Sequence, residues 1–169
     1  MTKKHTKKYL RTLAIAPSTR GFGYAVVEGF DGLVNWGVKQ LDEDKSAKSL
    51  EQVQKLISHY RPELLVLEDA AAKTSRRAPR IRELTDELVK LASKSRVKVT
   101  LFNREEIRRA FFAEGKGTKH EIATIIAGRY PDELQTRLPP KRKAWMPVDY
   151  RMDIFDAVAL ALVPRSRRR

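Results

Sequence analysis

The chain opens on alternation and then changes period. Segments rich in β-branched and aromatic residues fall near 12–16, 22–28 and 33–39. Gly29, Asp31 and Gly32 separate the second from the third, as a hairpin requires. These runs predict three consecutive antiparallel strands, with a tight turn between the first two. Around 46–59 the period becomes helical, with Leu50, Val53, Leu56 and Ile57 on one face. The run Glu63-Leu64-Leu65-Val66-Leu67-Glu68 is almost continuously apolar, which suits a central strand covered by helices on both sides. A second amphipathic stretch at 80–95 carries Ile81, Leu84, Leu88 and Leu91 as its stripe, and a fifth strand follows at 97–102. Helices near 103–112 and 119–129 lead into a Pro/Lys/Arg-rich loop around 139–147. The last helix, about 152–163, is apolar nearly all round and is therefore expected to be buried. Three antiparallel strands followed by strands alternating with helices predict an α/β fold on a mixed five-stranded sheet.

Composition narrows the partners. The chain has 169 residues, enough for one domain with a real core, and is 41% hydrophobic and 33% charged. Thirty-five Lys and Arg against 21 Asp and Glu leave a formal charge of +14. That charge favours a polyanion, because each cation that meets a phosphate releases condensed counterions. There are no cysteines, so disulfides, thiolate metal sites and Cys nucleophiles are excluded. No membrane span or apolar signal-peptide core is visible, and a cytoplasmic protein is expected. The basic start 1–11 and the end 164–169 read as flexible tails around a single domain at 12–163.

Carboxylates supply the candidate chemistry. Asp153 and Asp156, three apart on the last helix, share a face with Cβ atoms about 5–6 Å apart. Burying two like charges is costly unless they are protonated, paired or bound to cations. Local alternatives are a helix cap for Asp153 and a dipole partner for Asp156. Glu68 closes the apolar fourth strand, and sites in such sheets gather at the carboxyl ends of central strands. Oxygen ligands converging from different elements suit hard divalent cations, which in pairs about 3.5–4 Å apart cleave phosphodiesters.

The set as a whole resembles the RuvC-type Holliday-junction resolvases, which have a ribonuclease-H-like fold. Ala16-Pro17-Ser18-Thr19-Arg20 with Gly21-Phe22-Gly23 is similar to their first acid-containing turn. Leu65-Val66-Leu67-Glu68 resembles their second acidic strand, and Asp153-Ile154-Phe155-Asp156-Ala157-Val158-Ala159 their C-terminal helix. Glu106-Ile107-Arg108-Arg109-Ala110 and Gly115-Lys116-Gly117-Thr118-Lys119 resemble a segment that contacts DNA. The resemblance implies Glu68, Asp153 and Asp156 as catalytic metal ligands for Mg²⁺ or Mn²⁺, a branched-DNA substrate and a homodimer. Two departures stand out: Ala16 occupies the first-acid position, and Asp69-Ala70-Ala71-Ala72 lacks the expected stacking aromatic. Asp69 and Glu28 are remote substitutes for the lost acid, although Asp69 as a strand neighbour of Glu68 points the other way.

Basic residues cluster around this set. Arg20, Lys73, Arg76, Arg77 and Arg80 fall near the expected acidic site. Arg108, Lys116 and Lys119 form a second cluster, and Lys141, Arg142 and Lys143 a third. Gly115 and Gly117 are suited to a close phosphate approach. Trp145 and Phe111 are stacking candidates, with core packing the alternative for Phe111. The expected function is binding of Holliday junctions or other branched DNA with endonuclease activity weak or lost. The alternatives are an active junction endonuclease using Glu68, Asp153 and Asp156, and a structured-RNA-binding or rRNA-processing factor on the same fold.

Overall fold

Continuous burial of the first strands builds the sheet from its centre. The computed structural model describes residues 11–71 and 77–166. Strands β1 (Thr12–Ser18), β2 (Gly21–Glu28) and β3 (Gly32–Gln40) form the antiparallel unit. Helix α1 (Lys45–Tyr60) crosses to β4 (Leu64–Glu68), which lies parallel to β1. Helix α2 (Pro79–Lys94) leads to β5 (Lys98–Phe102), parallel to β4. The sheet order is β3-β2-β1-β4-β5. Helices α3 (Arg104–Phe111), α4 (Lys119–Arg129), α5 (Pro131–Leu134) and α6 (Met152–Ser166) complete the chain. The mixed five-stranded sheet is as expected. The short α5 was not anticipated, although Pro131 followed by Asp132 and Glu133 is a helix-start pattern.

Period-two alternation divides the core in two. Leu13, Ile15, Phe22, Val26, Leu65 and Leu67 pack toward α1 and α2. Ala14, Ala16, Ala25, Val27 and Val66 pack toward α4 and α6. Ala16 and Glu68 thus share the α6 face, each two residues beyond an inward-facing neighbour. Strand β1 runs past the expected limit at 16, because Pro17 and Ser18 pair with Phe22 and Gly21. Ala16 is consequently a strand residue, and the tight turn is Thr19-Arg20.

Helix α6 lies close on β1 and β2. Gly23 is opposite Ala16 in the ladder, and a Cβ placed there would fall 2.0 Å from the Asp153 carbonyl oxygen. The missing side chain therefore permits the helix to rest directly on the strand. At its other end α6 continues to Ser166, beyond the tail boundary expected at 164. Arg165 is buried there and donates to Gly29 O (2.8 Å), Thr12 Oγ1 (3.0 Å), Ala161 O (3.0 Å) and Val27 O (3.2 Å). The tail expectation fails at this residue because a guanidinium satisfies several buried acceptors at once. Residue Arg11, also assigned to a tail, donates to Tyr60 O and pairs with Glu28. The tails at 1–10 and 167–169 lie outside the described residues.

Two substitutions test this scaffold. Gly23→Ala should lower unfolding free energy by about 1–3 kcal/mol through overpacking, measured as a shift in the urea midpoint at constant slope. Arg165→Met should cost about 1–3 kcal/mol by leaving buried carbonyls without donors. A midpoint within error of the native chain for either variant would refute the corresponding contact.

Candidate nucleic-acid interface

The carboxyl ends of β1 and β4 open into a cavity of about 320 Å³. Ala16, Glu68 and Asp156 line it together, with Arg104, Arg108 and Lys119 at its sides and Phe155 and Ile122 among its apolar walls. The sequence-predicted Glu68 and Asp156 therefore meet, and the Ala16 methyl group stands in the same wall. Asp153 does not line the cavity. It is buried at 8% exposure beneath the first turn of α6.

Each acid has a different environment. Glu68 accepts from Arg77 Nη2 at 2.6 Å and from Arg104 Nε at 3.2 Å, one cation on each carboxylate oxygen. Burial works to raise its pKa, but the charge and hydrogen bond of Arg77, with Lys119 and Arg104 behind it, outweigh burial and hold it below the ordinary carboxylate value. Asp156 faces Lys119 Nζ at 3.4 Å. Asp153 is pushed up, chiefly by burial and also by the nearby Asp156; a hydrogen bond with Ser18 works the other way. Its Oδ2 is buried with no hydrogen-bond partner.

The cations are set in place by capping. Arg104 and Lys119 are the first residues of α3 and α4. Asn103 accepts from Glu106 N (2.8 Å) while its own amide donates to Glu106 Oε1 (3.2 Å). Thr118 and Glu121 repeat the reciprocal pattern at α4. These two capping boxes fix both first turns at the cavity. Arg104 was missed from sequence. Its placing is tertiary: the parallel pairing of Glu68 with Phe102 puts the residue after the Asn103 cap beside the Glu68 carboxylate.

A second, larger groove of about 700 Å³ continues from the cavity, sharing Thr118, Lys119 and Asp156 with it. Arg20, Lys141 and Arg142 line this groove. Its loop is shaped by Arg20 Nη2 donating to Val148 O (2.7 Å) and Arg142 Nη1 to Met146 O (2.8 Å). Lys116 and Lys143 are exposed nearby in sequence but line neither space. Arg80 donates to Ser18 O (3.0 Å), which ties α2 to the end of β1. Lys73 and Arg76 lie outside the described residues. Trp145 is 79% exposed on the groove loop, whereas Phe111 packs on the core. Gly117 lines the cavity and also lies against the Phe112 ring, whose Cε2 would fall 2.0 Å from an added Cβ. Glu28 is at the far end of β2 on Arg11, and Asp69 Oδ1 accepts from Ala71 N in a turn. Neither lines the cavity.

This arrangement does not fit the divalent pair implied by the resemblance. Ala16 offers no oxygen, both Glu68 oxygens already face guanidinium groups, and Asp156 faces an ammonium. Among the described residues no three His, Asp or Glu side chains converge in a way that would hold a metal ion. No helix among them is long and apolar enough to cross a membrane.

No family model matches the chain. It is 20% identical over 161 residues to the crossover junction endodeoxyribonuclease RuvC of Prochlorococcus marinus (strain MIT 9312), covering 90% of this chain and 94% of that protein. Among solved structures, Thermus thermophilus RuvC superposes with a TM-score of 0.66 at 18% identity, covering 91% of this chain and 92% of the other. The T. thermophilus RuvC complex with a Holliday junction substrate gives the same TM-score at 17% identity, with the same coverage. The yeast mitochondrial Holliday junction resolvase Ydc2 gives 0.61 at 18%, covering 93% of this chain and 78% of the other. The chain thus resembles the RuvC-type Holliday-junction resolvases along nine-tenths of its length and has their ribonuclease-H-like fold.

Proposed function

We propose that the protein binds four-way or otherwise branched DNA and cuts it weakly or not at all. The observation that carries this reading is the cavity at the ends of β1 and β4, where Ala16 replaces an oxygen ligand and Arg77 and Arg104 close on Glu68. A nuclease using Glu68, Asp153 and Asp156 would have to replace its missing ligand and also displace those guanidinium groups. Binding makes no such demand. The groove beyond the cavity presents Arg20, Lys119, Lys141 and Arg142, and phosphate contacts of this kind position a protein without reading sequence. A T. thermophilus protein of the same fold has been captured with a Holliday junction substrate, which supports the choice of a branched duplex. A four-way junction presents related strands twice, so the expected binding unit is a two-fold homodimer.

The decisive experiment pairs binding with cleavage. The native chain should retain a labelled four-way junction in preference to structured RNA and should not cleave it efficiently in Mg²⁺ or Mn²⁺. Efficient turnover with Ala16 intact would overturn the reading, as would preferred binding of the RNA. Parallel assays on Ala16→Asp show whether the lost ligand alone withholds activity: cutting gained only there assigns the loss to that position.

Binding should also weaken steeply with salt. Engagement of about six phosphates gives a log–log slope near −5. Lys141→Ala and Arg142→Ala should each weaken binding across sequences and reduce the slope by about 1. An unchanged slope in both variants would remove the groove from the interface.

A further inference from the structure

The cations around the cavity fall into two groups. Arg77 is held tightly: its side chain is 19% exposed, and it donates to Pro17 O (3.2 Å) as well as to Glu68. Arg104 and Lys119 are different. Their side chains are 46% and 50% exposed, and their contacts to Glu68 and Asp156 are longer, at 3.2 and 3.4 Å. In each pair the cation is half-exposed while its acid is not, so solvent screens the cation's side of the contact and can take the cation up when another anion arrives. Both cations also occupy helix-first positions, where the positive end of the helix dipole opposes them. Glu68 and Asp156 offset that repulsion. A phosphate would offset it as well, at a cavity that Arg104 and Lys119, the first residues of two helices, both line.

From this geometry we infer that Glu68 and Asp156 serve as internal counter-ions of a metal-free phosphate site, holding Arg104 and Lys119 until a DNA phosphodiester takes their place. The inference rests on the branched-DNA reading above and adds the role of the acids. In a metal-ligating site, neutralising either acid would weaken metal-assisted contact with the phosphate. Here it removes a competitor and a like charge from the phosphate's surroundings. The two roles therefore predict opposite signs for the same substitution. Arg108, which lines the cavity without an acidic partner among the described ion pairs, adds to the positive field that such an anion meets.

The test is equilibrium binding of a fluorescent four-way junction in EDTA and in Mg²⁺ at matched ionic strength. The native chain should bind no more tightly in Mg²⁺ than in EDTA. Glu68→Gln and Asp156→Asn should bind about fivefold more tightly, the size of one relieved like-charge contact at about 4 Å screened as in bulk water, with salt slopes steeper by about 1. Arg104→Ala should bind more weakly with a shallower slope. Glu68 is largely buried, so a thermal melt accompanies its variant; if that variant unfolds, Asp156→Asn beside the half-exposed Lys119 decides. Weaker or unchanged binding by folded acid variants overturns the inference, as does native binding that tightens in Mg²⁺. Failure of the native chain to bind the junction in either buffer would instead reject the branched-DNA reading itself.

Discussion

Everything at the candidate site depends on how closely one apolar helix can lie on the first two strands. Helix α6 is buried along nearly its whole length, and its first turn rests on Gly23 with no side chain between. Arg165 fixes the other end by joining the helix to carbonyls of the β2 end and its hairpin and to the first residue of β1. These two contacts set the height and register of the helix on the sheet. Asp153 is forced beneath its own turn, and Asp156 is brought to the mouth of the cavity containing Ala16 and Glu68.

Within that frame, charge balance separates this cavity from a metal centre. The fold brings acids together, and their mutual repulsion must be met by something positive. Here side chains meet it: Arg77 from the approach to α2, Arg104 from the start of α3 and Lys119 from the start of α4. Ala16 contributes no carboxylate to the group, which keeps the positive charge required low. An apolar residue at position 16 and the presence of three cations are thus consistent with one another. They describe a site balanced by protein charges and open onto a basic groove.

The elements were legible because their signals are local. Alternation placed β1 to β3, continuous apolarity placed β4, and helical stripes placed α1 and α2, each within a few residues of the observed limits. Departures came where non-local forces act. Strand β1 extends through Pro17 and Ser18 because β2 returns along it. The residue Arg165 sits in a basic run that reads as a solvated tail, yet acceptors from β1, β2 and the hairpin make its burial favourable.

The sequence by itself determined the mixed sheet, the placing of Ala16 and Glu68 at the ends of their strands, and the spacing of Asp153 and Asp156. Those properties follow from periods of two and 3.6 along one strand or one helix. Only the tertiary structure decided which charges the acids face. Arg77 and Arg104 reach Glu68 across nine and 36 residues, and Lys119 reaches Asp156 across 37. No periodicity encodes such distances. They arise where the ends of β1, β4, α3, α4 and α6 converge, and the pairing there is set by geometry and the cost of leaving a partly buried charge unmet.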